Sequence, residues 1–353
     1  MKALRIKKHG GLDCLVFEEL PVPQPGPGEV RVQVAASAIN HLDLWVRRGV
    51  EGHAFPLPLT PGCDAAGQVH ALGPGVRGWS EGDEVVIAPG LSCGTCSPCL
   101  AGSDQLCRAY GILGETRDGA HAPFMVVPAR NLMRKPKNLP FTAAGAFGLT
   151  FLTAWHMLVS RAALRPAETV LIHAAGSGVS SAGIQIARFM GARIIATAGS
   201  EAKLARARDL GASHTINYRS TYFTSQVRAL TGRRGVDVVF DHVGADTFAA
   251  SVKVLARGGR YVFCGATSGF DLRTDFRPVF FKSLSILGST MGSQGELRRI
   301  RELVEDGHFK PVVERILPLA RAAEGHAALE KREVFGKVVL SISGEAASGD
   351  PAP

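Results

Sequence analysis

Three features of the sequence predict an α/β protein built as a small β-barrel domain followed by a doubly wound parallel sheet. Residues 1–140 hold short valine-rich runs between Gly/Pro turns. Residues 141–290 alternate strand-like and helix-like segments. A last helix and strand, within 291–343, read as a return to the first domain, and 344–353 read as a disordered tail. A chain of 353 residues is long enough for two buried cores.

In the first domain the strand candidates are EVRVQVAAS (29–37), GQVHAL (67–72), DEVVIA (83–88) and FMVVPA (124–129). Turn clusters such as PQPGPG (23–28) and LGPGVRGWSEG (72–82) separate them. The apolar stretch AAGAFGLTFLTAWHMLVSRAAL (143–164) predicts one buried helix. TVLIHA (169–174), RIIATAG (193–199), SHTINY (213–218), GVDVVFDHVG (235–244), GGRYVFCG (258–265) and LSILGST (284–290) read as strands joined by helices. Such strands, buried on both faces, belong in a parallel sheet. LRRIRELVEDG (297–307) and FGKVVLSI (335–342) supply the returning helix and strand.

Composition narrows the function classes. Apolar residues make up 46% and charged residues 20% of the chain, with a formal charge of +9. The basic residues are scattered, in RRG (47–49), RAR (206–208), RRG (233–235) and LRRIR (297–301), without interleaved aromatics. A nucleic-acid partner is therefore not expected, whereas a phosphate-rich small ligand suits the charge. No apolar run is long enough to span a bilayer and MKALRIKKHGG has no signal-peptide core. A cytoplasmic protein with no membrane partner is expected, and there clustered thiols bind metal rather than pair as disulfides.

Four of the seven cysteines, Cys93, Cys96, Cys99 and Cys107, follow the spacing C-x2-C-x2-C-x7-C. Four thiolates close a tetrahedral site and leave no position for water or substrate, so one structural zinc per chain is expected. The surrounding GLSCGTCSPCLAGSDQLC has almost no apolar residues to order it otherwise. Cys14, Cys63 and Cys264 stand alone and read as small, partly buried side chains.

AAGSGVSSAG (174–183) follows a strand and opens a helix, which is where backbone N–H groups and a helix N-terminus bind a diphosphate. Ala175, Ser177 and Ser180 stand where G-x-G-x-x-G would have glycine, with Gly176 and Gly178 between them. Gly176, Ser177, Gly178 and Val179 are the expected contacts, with Gly265 at the end of a later strand. The second strand ends in Ala198-Gly199-Ser200 rather than in the acid that accepts from a ribose 2′-OH. Glu201 is the only acid nearby and caps the helix. Ser200, Lys203 and Tyr218, with Arg219, can accommodate a 2′-phosphate, so NADPH is expected in preference to NADH.

The cysteine lobe, GDEVVIAPG (82–90), the strand–turn–helix of 169–191 and the terminal FGKVVL together resemble the medium-chain dehydrogenase/reductase superfamily over essentially the whole chain except the tail. The resemblance implies a GroES-like catalytic domain split around a Rossmann domain, and hydride transfer to or from a nicotinamide. The zinc alcohol dehydrogenases of that family hold a catalytic metal at three positions, which here read Asn40, Cys63 within Gly62-Cys63-Asp64, and Leu149. One ligand of three does not make a catalytic zinc site. A divergent site drawn from Cys63, Asp64, His41 or Asp43 is the alternative. N-x-x-D followed by PG-x-D is similar to the zinc-independent quinone oxidoreductase and enoyl-reductase branch. That similarity implicates Asn40 and Asp43 in the active-site wall, with Asp64 beside them.

Without a Lewis acid the acceptor must already be electrophilic: a quinone or an α,β-unsaturated carbonyl. Asn40, His41 or a backbone N–H is the expected donor to its oxygen. Trp45 stands where a proton-donating tyrosine is sought and cannot deliver a proton. The other readings are a zinc-dependent alcohol dehydrogenase acting on small alcohols or aldehydes, and a non-catalytic NADPH-binding sensor. LSILGST followed by Met291 suggests a sheet edge that pairs in a homodimer or homotetramer.

Overall fold

The computed structural model describes residues 1–272 and 274–342; the tail expected at 344–353 lies outside the described residues. Two compact units emerge, one of Met1–Leu149 with the residues from Ser293 onward, the other of Thr150–Gly292. The boundaries fall later than the expected 140/141 and 290/291. The cause of the first shift is local: Phe141 and Ala146 pack on Ala36, Ala38 and Val339, so this segment belongs to the first core.

The chain opens with β1 (Lys2–Ile6), β2 (Leu15–Glu19), β3 (Glu29–Ile39), α1 (His41–Arg48), β4 (Asp64–Leu72) and β5 (Glu84–Ile87). Next come β6 (Gly90–Leu91), α2 (Ser97–Leu100), β7 (Gly111–Ile112), β8 (Phe124–Pro128), β9 (Leu132–Arg134) and α3 (Phe141–Ala144). The expected single helix over 143–164 is broken. Gly145 ends α3, α4 (Gly148–Trp155) starts afresh, and a π-helical turn, His156–Arg161, follows. The second unit then runs β10 (Thr169–Ile172), α5 (Gly178–Phe189), β11 (Arg193–Ala198), α6 (Glu201–Leu210), β12 (His214–Asn217) and α7 (Phe223–Leu230). It finishes with β13 (Val236–Asp241), α8 (Ala245–Val254), β14 (Leu255–Phe263), α9 (Arg277–Phe281) and β15 (Ser285–Gly288). The return comprises α10 (Gln294–Glu305), β16 (Val313–Pro318), α11 (Ala322–Glu330) and β17 (Lys337–Ser341).

In the first unit the sheet order is β16-β17-β3-β4-β5-β9, with β8 also paired to β3. Alternation along β3 sends Val30, Val32 and Val34 into one core with Val69, Val85 and Ile87. The last strand, β17, lies antiparallel to β3 with Val338 opposite Ile39. This pairing carries Lys337 to the end of β3, next to the start of α1.

The second unit has one parallel sheet in the order β12-β11-β10-β13-β14-β15. This is the 3-2-1-4-5-6 winding, whose strand order reverses between β10 and β13 and whose ligands bind at the carboxyl ends of the strands there. Residues 170–172 of β10 are fully buried, as a strand covered on both faces requires. β15 is one edge of this sheet and β12 the other; Ile286 of β15 is exposed, and Phe276, Phe280 and Phe281 are exposed nearby in sequence. Met291, in contrast, is buried. No helix among the described residues is long and apolar enough to cross a membrane.

Candidate active site and zinc lobe

The expected catalytic residues of the first unit share one buried polar set. Asn40 caps the start of α1, while Cys63 and Asp64 lie where the chain enters β4. Asn40 is 4%, Cys63 0%, Asp43 1% and Asp64 1% exposed, so each polar atom needs a protein partner. Asp43 accepts the backbone N–H groups of Asn40 (2.7 Å) and Gly62 (2.8 Å), tying α1 to the loop before β4. Asp64 accepts the Leu149 backbone N–H at 2.6 Å on one oxygen and the Asn40 amide at 3.0 Å on the other. Leu149, expected as a lost ligand position, thus contributes its main chain.

Sequence reasoning missed the charge that completes this set. Lys337, 4% exposed, places its ammonium 3.1 Å from Asp64 and donates to the Asn40 carbonyl oxygen. The signal was available: Lys337 is the single charged residue of FGKVVL. A lysine in an otherwise apolar buried strand demands a counter-ion. The Asn40 amide nitrogen has three acceptors, Asp64, the Ala38 carbonyl and Cys63 Sγ, the last two each at 3.3 Å. Its hydrogens therefore point into the protein, which corrects the expectation that Asn40 is a free donor to an acceptor oxygen. His41 instead lies on the exposed side of α1, edge-on to Trp45.

Electrostatics follow from burial. Burial pushes the Asp43 carboxyl up to about 6, against the two backbone N–H groups and Lys337 that favour its charge. Burial likewise pushes the Cys63 thiol well up, and the Asp64 and Asp43 carboxylates add to the effect. His121, fully buried, has no partner on either ring nitrogen among the described residues. Its ring fits only because Gly62, at φ +99°, has no Cβ; one would stand 2.5 Å from the imidazole. Burial, then Lys337, holds the His121 imidazole down to about 3. His326 of α11 is also fully buried, unpartnered and held down to about 3 by burial and by His121.

The cysteine lobe has the geometry of a metal site. All four sulfurs of Cys93, Cys96, Cys99 and Cys107 lie within 4.8 Å of one another, three pairs being 3.4, 3.7 and 3.9 Å apart. Tetrahedral zinc with bonds of about 2.3 Å separates its sulfurs by about 3.8 Å. Backbone N–H groups of Cys96 and Cys93 donate to Cys93 and Cys107 sulfurs, as thiolates require. Leu100 and Leu106 are 76% and 63% exposed, so packing does not order this loop. Among the described residues no other group of three or more His, Cys, Asp or Glu brings its ligand atoms together in this way. The divergent set of Cys63, Asp64, His41 and Asp43 is therefore not assembled for a metal.

In the second unit the residues expected to hold the dinucleotide follow the carboxyl ends of β10, β11, β12 and β14. Ser177 is the N-cap of α5 and its hydroxyl accepts the Ser180 N–H at 3.0 Å; Gly178 and Val179 open the helix. Gly176 makes room for Lys203, whose Cδ would be 2.9 Å from any Cβ there. Ser200 caps α6, and Tyr218 and Arg219 close over Gly199, with the Tyr218 hydroxyl 2.7 Å from where a Cβ would be. Glu201 accepts from Asn217 at 2.8 Å, which commits one oxygen of the only nearby acid. Gly265 lies two positions beyond the end of β14. The residues at the turn, a helix N-terminus with small side chains, fit the diphosphate of a nicotinamide dinucleotide.

Comparison with known proteins agrees with both halves. Residues 26–137 match the family model described as alcohol dehydrogenase GroES-like domain, and 178–306 the one described as zinc-binding dehydrogenase. An NAD-dependent alcohol dehydrogenase of Sulfurisphaera tokodaii is 32% identical over 96% of this chain and 99% of its own length. A 2-haloacrylate reductase of a Burkholderia species is 32% identical over 95% of this chain and 97% of its own. A solved structure titled NAD-dependent alcohol dehydrogenase superposes with a TM-score of 0.94 at 54% identity, covering 97% of this chain and 100% of that one. The two family models and the relatives, oxidoreductases matched along nearly their whole length, thus agree with the two units of the fold, and the chain belongs to the medium-chain dehydrogenase/reductase superfamily.

Proposed function

We propose that the protein is an NADPH-dependent reductase of a quinone or an α,β-unsaturated carbonyl that works without catalytic zinc, keeping one structural zinc on Cys93, Cys96, Cys99 and Cys107. The observation that carries this reading is the Asp64–Lys337–Asn40 set. At the three positions where a zinc alcohol dehydrogenase holds its metal stand an amide, a thiol that burial keeps protonated, and a leucine whose N–H is bonded to Asp64. Bound NADPH would supply the hydride. Ser177 and the first turn of α5 hold its diphosphate, while Lys203, Tyr218 and Arg219 favour a 2′-phosphate. Lys337 and Asp64 fix Asn40 and with it the first turn of α1, orienting the wall against which the acceptor rests. A relative named for 2-haloacrylate, a conjugated substrate, supports the acceptor class. The exposed edge of β15 supports a homodimer or homotetramer, in keeping with the exposed Ile286.

The zinc alcohol dehydrogenase is the competing reading, favoured by the name of the 54% identical structure and by Cys63 itself. That name also favours NADH. Metal counting by mass spectrometry with parallel assays separates the two. One zinc per chain, with NADPH-dependent quinone or enone reduction that survives mild chelation, supports the proposal. Two zincs, with alcohol oxidation lost in Cys63→Ser, refute it.

A further inference from the structure

We infer that His242 is a positioning residue for the cofactor turn: its Nε2–H donates to the hydroxyl oxygens of Ser177 and Ser180, leaving the Ser177 hydrogen free to donate to a diphosphate oxygen. The inference rests on the reading that this turn holds a dinucleotide. His242 directly follows β13, the strand beside β10 across the reversal of the sheet. Its Nε2 lies 2.8 Å from Ser177 Oγ and 3.1 Å from Ser180 Oγ.

Counting hydrogens selects the tautomer. Ser180 donates its hydroxyl hydrogen to the His173 carbonyl at 2.7 Å, so its oxygen can only accept from the imidazole. Ser177 Oγ already accepts the Ser180 N–H. Were Nε2 unprotonated, Ser177 would turn its hydrogen inward and Ser180 would face Nε2 lone pair to lone pair. With a hydrogen on Nε2 both oxygens accept, and the remaining Ser177 O–H points away from the imidazole. Burial holds the His242 imidazole below its usual pKa, against the adjacent Asp241 carboxylate, so it stays neutral with a single N–H.

Losing a well-directed hydrogen bond to a charged phosphate is read as about tenfold in affinity, which is about 1.4 kcal/mol. Fluorescence titration with NADPH and with NADH tests the assignment. His242→Leu weakens both nucleotides about tenfold. His242→Gln, which restores a donor near Nε2, recovers affinity to within about twofold. In a Ser177→Ala background the His242→Leu change adds less than about twofold, because its effect passes through that hydroxyl. Thermal midpoints measured alongside show that the losses are not those of unfolding. Unchanged affinity in His242→Leu, a failure of His242→Gln to recover it, or full additivity with Ser177→Ala overturns the inference. Wild-type protein that binds neither nucleotide overturns the reading of the turn itself, and the inference with it.

Discussion

Replacing Lys337 with methionine removes one charge from a pair in which the two side chains are only 4% and 1% exposed. Asp64 then keeps a negative charge with two N–H donors, from Asn40 and Leu149, and no cation. At the 3.1 Å separation seen here and an effective dielectric near 20, the lost attraction is about 5 kcal/mol. Breaking a buried pair from one side costs about 3–5 kcal/mol, so the two routes agree. For a unit of the size of Met1–Leu149 plus the returning segment, that corresponds to a fall in thermal midpoint of roughly 6–20 °C. Calorimetry reads it directly, and the control is the double replacement Lys337→Met with Asp64→Asn. Removing both charges removes the uncompensated carboxylate, so the double variant is more stable than Lys337→Met alone. A single variant within about 1 kcal/mol of wild type, or a double variant that simply adds two losses, refutes the claim that these groups form one buried unit.

Lys203→Ala is expected to weaken NADPH about tenfold and to leave NADH within about twofold, since only the former has a 2′-phosphate for the ammonium to meet; equal losses in a titration count against the NADPH assignment. Cys99→Ser should release the zinc found by mass spectrometry and open residues 93–107 to proteolysis while the affinity of the second unit for nucleotide is unchanged. Acid should destabilise the first unit from about pH 6.5 downward. His121 and His326 are both held near 3 in the fold, so the unfolded chain takes up their protons first and stability falls between about 6.5 and 3. Asp43, raised to about 6, works the other way, its contribution being present at low pH and lost as pH rises from about 4 through 6. In denaturation at stepped pH, His121→Asn and His326→Asn should each flatten the acid limb, and an unchanged slope contradicts their neutral burial.

The parts of the molecule written in local chemistry were legible beforehand. The zinc lobe was readable because C-x2-C-x2-C-x7-C has few uses, and the sulfurs do converge. The strands β10, β11 and β13 were readable because β-branched runs ended in turn residues at regular intervals. Other features depended on contacts far apart in the chain. The break at Gly145 is set by packing on β3 and β4: a Cβ there would stand 2.8 Å from the Ala36 carbonyl. Asn40 was read from a motif, but which way its amide points is decided by Lys337, nearly 300 positions away. His242 was not singled out within the strand candidate 235–244, and only the pairing of β10 with β13 brings it to Ser177.

That distance along the chain has a consequence for biosynthesis. The cation that Asp64 requires is supplied from position 337, in the last strand of the sheet. On the ribosome, the barrel begun by the first 149 residues must wait with an unmatched carboxylate while residues 150–292 are translated and folded. A nascent chain arrested after residue 330 would therefore hold the whole of the second unit and still lack β17, leaving β3 without its last partner strand.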